Sequence, residues 1–368
     1  MATYELKNKK SPPISEIGVI KWLHENLFSS LFNSILTLFA LYLLYLIIPP
    51  LADWLYFGAE FGNVTNDQCT REAACWTYIG KKLNLYIYGF YPEEHYWRIH
   101  LTFALVAVFS FIPRLFKNNA HRFKLIAFLF ISYPILAFYL LYGGIGLEVV
   151  ETHKWGGLTL TIIIAAVGIV ASFPIGILMA LGRQSKMKVI RFFSVLYIEF
   201  IRGVPLITIL FMASVVLPLF FSEGIDVDKL LRALIGITLF QAAYIAEVIR
   251  GGLQAIPRGQ YEAADAMGLS FFQKTSLIIL PQALKISIPN IVGSFISLFK
   301  DTTLVLIIGL FDMLAIVGLS TSDVNWLGRE TEGYVFVAFV LWIILYSMSK
   351  YSKNIEKRYN TELDKEKL

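Results

Sequence analysis

The groups able to do chemistry in this chain are few, and most lie in apolar surroundings. Lys300 and Asp301 interrupt the run IVGSFISLF and are followed by Thr302 and Thr303. An ionisable residue within a membrane span is costly and is a functional candidate by default. A zwitterionic solute offers a carboxylate and an ammonium, and Asp301 could receive the ammonium. The competing reading is an internal ion pair that holds a helix break in place; for Lys300 both readings stand. Gln241, Tyr244 and Glu247 recur at intervals of three, so neighbours in the set share a helix face. Gln241 and Tyr244 could hydrogen-bond a polar solute, or simply be packed, while Glu247 is better placed to pair with Arg250 three residues on. Glu199 and Arg202 fall just before Gly203 and Pro205, at headgroup level, and suit an anchor at a gate hinge more than a solute contact.

The remaining reactive residues form no catalytic set. The five histidines, His24, His95, His100, His121 and His153, show no His-Glu-x-x-His spacing, so no metal site is expected. Glu93-Glu94-His95 reads as a solvated surface. Cys69 and Cys75 are the two cysteines, and a disulfide between them or two unpaired thiols are the alternatives. No Gly-x-x-x-x-Gly-Lys-Ser/Thr phosphate loop occurs, Gly80-Lys81-Lys82 being the nearest fragment. Any nucleotide-driven step must therefore be powered by another polypeptide.

The elements that position these residues are membrane helices. Of the 368 residues 57% are hydrophobic and 16% charged, with mean hydropathy +0.63. Soluble domains carry about 25% charged residues. The net charge of +5 is too small and too scattered for nucleic-acid binding. Apolar runs near the ~20 residues a span needs predict about eight transmembrane helices, at about 28–48, 97–113, 123–142, 157–182, 204–221, 230–250, 286–310 and 331–349. The first is expected to stay as an anchor, since the polar N-terminal stretch precedes no cleavable signal pattern.

Lysine and arginine set the orientation. With the N-terminus inside, the inside segments 1–27, 114–124, 183–203, 250–285 and 350–368 hold 23 of the 32, and the outside segments hold eight; Lys300 is the remaining one. Both termini are thus expected in the cytoplasm. Residues 1–150 read as an extension with three spans and an external insert at about 49–96, which holds both cysteines in a compartment that permits a disulfide. Residues 151–350 read as a five-span core and 351–368 as a charged cytoplasmic tail. Gly168, Ser172, Gly176 and Ala180 recur every fourth residue and predict close helix approach in the fourth span. Val189–Ile201 is amphipathic and suits the interface.

One cytoplasmic stretch breaks the pattern: EAADAMGLSFFQKTSLIILP, Glu262 to Pro281. A short helix is predicted from about Gln260 to Met267, with Glu262 and Asp265 favoured near its N-terminal end. Gly268 suits a left-handed closing position. Ser270 with Gln273 forms a capping box for a second helix, which Pro281 is expected to stop. Ala263, Ala264 and Ala266 keep the first helix thin enough to enter a groove on a partner.

GQYEAADAMGLSFFQKTSLIILPQALKISIPN resembles the EAA loop, at about 257–281 here, of binding-protein-dependent ABC importer permeases. GGLTLTIIIAAVGIVASFPIGILMAL, YIEFIRGVPL, AAYIAEVIRGGLQAIPRGQ and SLFKDTTLVLIIGL are similar to the polar amino-acid branch of that family, over roughly 155–350. The longer extension resembles membrane subunits of general L-amino-acid importers. Thr303 departs from the serine usual after Lys-Asp-Thr but keeps a hydroxyl. The resemblance implies an all-α membrane protein with a type I importer core of five helices plus a three-helix extension. It further implies a transport subunit rather than an enzyme, in a bacterial inner membrane, with Glu262, Ala263, Ala264, Asp265 and Gly268 coupling it to a dimer of ATPase subunits. ATP and Mg²⁺ would bind the ATPase and no cofactor this chain. The other implied partners are a second permease subunit, a paralogue, and an extracytoplasmic amino-acid-binding protein. The alternatives are a secondary amino-acid transporter without an ATPase, which would usually show two related halves, and an intramembrane enzyme.

Overall fold

The computed structural model describes residues 18–70, 72–112, 119–220 and 227–366. The polar stretch 1–17, residues 114–118 of the expected inside segment 114–124 and residues 222–226 of the expected outside segment 222–232 lie outside these. The chain forms two compact units, residues 1–77 and 78–368.

The first unit opens with α1 (Gly18–Asn26) and α2 (Leu31–Ala52). Ser30 caps α2 by accepting from the Asn33 amide at 3.2 Å. A wide π turn, Asp53–Phe57, follows Pro49 and Pro50. No residue of α2 is buried, so leucines such as Leu36 and Leu38 are presented all round the helix. Beyond it a small knot is tied by a Cys69–Cys75 disulfide with Cα atoms 5.8 Å apart. The Glu60 amide donates to the Ala74 carbonyl at 2.8 Å, and that of Trp76 to Glu60 at 2.9 Å. The Trp76 indole donates to the Leu55 carbonyl at 2.9 Å.

The second unit takes in most of α3 (Trp76–Tyr88), then α4 (Tyr96–Phe111), α5 (Asn119–Tyr142), α6 (Gly157–Arg183), α7 (Lys188–Gly203), α8 (Leu206–Phe211), α9 (Lys229–Gln254), α10 (Arg258–Ala266), α11 (Phe271–Gln273), α12 (Leu280–Asp301), α13 (Ala315–Ser320) and α14 (Glu330–Glu366). The sequence reading sets a boundary at 150/151, whereas residues 78–150 share this unit with the core. Backbone contact explains it. Gly157 has φ +60°, and a Cβ there would lie 2.4 Å from the Tyr86 carbonyl oxygen. Only glycine tolerates both the conformation and the approach. The Thr159 hydroxyl donates to Ile87 at 2.8 Å, and Tyr78, Tyr86 and Ser320 form a buried hydroxyl cluster.

The centre of the unit is α6 against α9. Gly168, Ser172, Gly176 and Ala180 are all buried on one face of α6. A Cβ on Gly176 would meet Ile245 at 2.6 Å and the Ala242 carbonyl at 3.1 Å. The small-residue stripe predicted from sequence is thus the contact that lets two long helices approach.

Among the described residues six helices are long and apolar enough to cross a membrane, or seven with α7 and α8 as one bent span of 104°. Five of these belong to the core: α6, the α7–α8 pair, α9, the continuous helix Phe271–Ile308, and α14. The second expected span, 97–113, falls on α4. Its 16 residues reach about 24 Å at 1.5 Å each, short of a ~30 Å hydrocarbon layer. Another correction concerns Pro281, which does not stop a helix. A π turn at Lys274–Ile279 precedes it, and Pro281 occupies the first turn of α12, where its missing N–H costs least. Phe271–Ile308 therefore runs unbroken for 38 residues, about 57 Å.

Candidate functional site

Three groups of sequence-predicted residues are placed by this frame. The first is the loop after α9. Pro257 starts α10, and Gly268 ends it at φ +71°. The Gly268 amide donates to Asp265 at 3.0 Å and that of Leu269 to Ala264 at 3.3 Å, which is the paired closure of a Schellman motif. Ser270 and Gln273 complete the capping box, at 3.0 and 3.4 Å. Asp265 is tied to Lys274 at 2.5 Å, which fixes α10 to the base of the long helix. The Tyr261 hydroxyl donates to the Leu253 carbonyl at 3.3 Å, and burial pushes that phenol above its usual range.

The alanines divide. Ala264 is 2% exposed and packs into its own chain, while Glu262, Ala263, Ala266 and Met267 are exposed. Ile256 and Ile279 join a buried cluster with Ile198, Ile245, Ile249 and Leu253, so the loop is anchored to the core. Phe271, Phe272 and Leu277 stand exposed beside α10.

The second group is a charge network at the same end of α9. Glu247 grips Arg250 through two hydrogen bonds, one of them at 2.9 Å, as the i,i+3 reading expected. Arg183 lies 3.4 Å and Arg202 3.6 Å from the same carboxylate. Glu199 pairs with Arg183 at 2.8 Å rather than with Arg202, and the Arg202 guanidinium sits 5.6 Å over the Tyr244 ring. Three helices, α6, α7 and α9, are laced together just before the 104° bend. Arg183 was missed from sequence; its signal is a lone cation ending an apolar span opposite two glutamates.

The third group lies within the spans. Gln241 is buried and donates to the Ser294 hydroxyl at 2.9 Å, joining α9 to α12. Tyr244 is half-buried against Phe240, ring centroids 4.8 Å apart. Lys300 is exposed and Asp301 half-buried at the end of α12. Thr302 is fully buried, its hydroxyl donating to the Phe299 carbonyl at 2.8 Å. The structure brings Gln241 and Tyr244 onto one helix near Arg202, and places Lys300, Asp301 and Thr302 where α12 tightens into the 3₁₀ turn Thr302–Ile308.

The chain matches the family described as binding-protein-dependent transport system inner membrane component over residues 172–361. It is 52% identical to the inner membrane amino-acid ABC transporter permease protein YhdY of Escherichia coli (strain K12), over 92% of this chain and 93% of that one. The chain belongs to this family. It is also 41% identical to the glutamate/glutamine/aspartate/asparagine transport system permease protein BztC of Rhodobacter capsulatus, over 96% of each. The probable glutamine ABC transporter permease protein GlnP of Bacillus subtilis matches at 34%, over 55% of this chain and 90% of its own length. Among solved structures, a crystal structure of an amino acid ABC transporter with histidines matches with TM-score 0.50 and 29% identity, over 55% of this chain and 92% of that one.

The permease reading thus holds over that of a secondary transporter, and the permease is a multi-pass inner membrane protein. ATP hydrolysis belongs to a separate subunit, and the family implies a substrate-binding protein as a further partner.

Sequence reasoning also missed Asp312 and Glu148. Asp312 is fully buried between α12 and α13, accepts from the amides of Leu314 (3.2 Å) and Ala315 (3.0 Å), and burial raises its carboxyl to about 6. Glu94, His95 and Glu148 converge with ligand-type atoms within 4.8 Å of one another, where Glu93-Glu94-His95 had read only as a solvated surface.

Proposed function

We propose that this permease forms the translocation pathway of an ATP-driven amino-acid importer and is coupled to its ATPase through α10. The acidic and amide amino acids named for the Rhodobacter relative are the first solutes to test. The observation that carries the coupling is the build of the loop. α10 is closed at Gly268, fastened by Asp265–Lys274, and presents Glu262, Ala263 and Met267 outward. A rigid, thin projection fastened by Asp265–Lys274 to a 38-residue helix can pass motion from a docked ATPase into the spans.

Both termini are cytoplasmic, and the disulfide knot faces the oxidising side, in line with the lysine and arginine distribution. ATP and Mg²⁺ bind the partner ATPase dimer. The second permease subunit is a paralogue, whose contribution completes the pathway beside Asp301, Lys300, Thr302, Gln241 and Tyr244. The Glu199, Arg202 and Glu247 network, with Arg183, holds the gate hinge at the α7–α8 bend.

The test is co-purification and uptake with Ala263→Trp, at an exposed position where bulk leaves the chain's own packing intact. The variant is expected to lose the ATPase and at least roughly tenfold of ATP-driven uptake, the effect of ~1.4 kcal/mol at the interface. Full uptake by Ala263→Trp, or uptake driven by an ion gradient with ATP absent, contradicts the proposal.

A further inference from the structure

At the opposite end of α9 from α10, a cavity of about 340 Å³ opens between the turn Thr152–Lys154, the start of α9 and Gly309–Leu310. That volume falls in the roughly 300–1,000 Å³ range of small-molecule sites. Its polar lining carries both signs of charge: Lys229 and Arg232 on one hand, Glu151 and Asp228 on the other.

The cations are short of acceptors. Arg232 is 7% exposed; its NH1 donates to the Ser214 carbonyl at 2.5 Å, but its Nε is buried with no partner among the described residues. A buried donor without an acceptor is unfavourable, so Arg232 keeps donor capacity that no described residue uses. Lys229 stands at the rim with no carboxylate within ion-pair distance among the described residues, although Asp228 is its neighbour. Its Nζ would lie 3.7 Å from a Cβ on Gly309, a residue at φ +71°. The carboxylates are placed differently. Asp228 accepts from the Thr152 hydroxyl and from the Leu231 amide at 2.9 Å, and so caps α9. Glu151 is exposed, 3.0 Å from His153.

Two cations with no carboxylate at ion-pair distance among the described residues, and an accessible carboxylate, complement an α-amino acid zwitterion in one small cavity. We infer that this cavity is an entry site for the transported amino acid. The solute's carboxylate lies against Lys229 and the Arg232 guanidinium, and its ammonium against Glu151. The inference rests on the function and orientation proposed above, which put this end of α9 outside, where solute arrives. It adds a site on the outer side, apart from Asp301 and Gln241.

The test uses the complete importer, with ATPase and binding protein, in proteoliposomes, and L-glutamine and L-glutamate as probes. The variants are Lys229→Met and Glu151→Gln, at exposed positions, and Arg232→Lys, which keeps the charge but loses Nε. Docking of the binding protein is measured in parallel by biolayer interferometry. Each variant is expected to lower uptake from saturating loaded binding protein roughly tenfold, the loss of about one charge-assisted hydrogen bond, while docking affinity stays within about twofold. Unchanged uptake in Lys229→Met and Glu151→Gln, with the unaltered importer active, overturns the site alone. A drop in docking that matches the drop in uptake also overturns it, because the cavity then receives a side chain of the binding protein. No ATP-driven uptake of either probe by the unaltered importer overturns the proposed function and this site with it.

Discussion

Two helices of similar length and apolar character, α2 and α9, are held in opposite ways. None of the most apolar window of the span containing α2 is buried, against 67% of that of α9. α9 is threaded among α6, α7 and α12 through glycine and alanine contacts and carries Gln241, Tyr244 and Glu247. α2 carries aliphatic and aromatic side chains on every face and has no Asp, Glu, Lys, Arg or His along its length. In a bilayer lipid tails are as apolar as leucine, so apolar character alone brings no helices together. Small residues that permit close approach, and polar groups that require partners, do. The lesson is that the functional helix is the one whose sequence departs from uniform greasiness.

The comparison can be broken at several points. The largest effect is expected at Gly176, where Leu would drive a side chain into Ile245 and the Ala242 carbonyl. Overpacking of this kind costs about 3 kcal/mol, and thermal unfolding in detergent should show loss of the folded permease. Leu38→Ala in α2 should stay within about 0.5 kcal/mol, as exposed substitutions do. Equal effects at the two positions would end the distinction.

Asp312 comes next. Its folded carboxyl is raised to about 6, against about 3.9 unfolded. The stability its neutral form supports is fully present below about pH 3.9 and is lost as pH rises through about 6. The two-unit shift amounts to about 3 kcal/mol. Asp312→Asn should flatten the dependence of the unfolding midpoint between about pH 4 and about pH 6.5, and parallel profiles for the two proteins would refute the burial account.

The smallest effect is expected in the first unit. Cys69→Ser with Cys75→Ser should cost about 2 kcal/mol of local stability through loop-closure entropy, read as faster proteolysis around residues 60–75. ATP-driven uptake is expected to persist. Loss of uptake with the knot's protease resistance unchanged would give that knot a role the comparison denies it.

Much of this was legible in the sequence, and the reasons are physical. Gly268, Ser270 and Gln273 act through local backbone geometry, so the closing turn and capping box could be read from spacing alone. The i,i+4 stripe from Gly168 to Ala180 showed for the same reason. Pro281 misled because a proline's effect depends on the turn before it, and a π turn leaves no mark in residue types. Ala264 could not be told from Ala263, since which alanine faces inward is set by how α10 packs on the Lys274–Ile279 turn. Arg183 joins Glu199 and Glu247 across 16 and 64 residues of chain, beyond any local pattern. Residues 78–150 read as part of an appendage because the glycine contacts that seat α3 against α6 are made between distant backbones.

The most direct test of the central claim, that α10 is the cytoplasmic contact with the ATPase, is cross-linking from Met267→Cys. The permease is expressed with its ATPase subunit, which carries cysteines lining its docking cleft. The account predicts a disulfide-linked permease–ATPase species in inverted vesicles, altered by ATP, and no labelling of Met267→Cys by a membrane-impermeant maleimide in intact cells. Labelling from outside, with no cross-linked species, would contradict it.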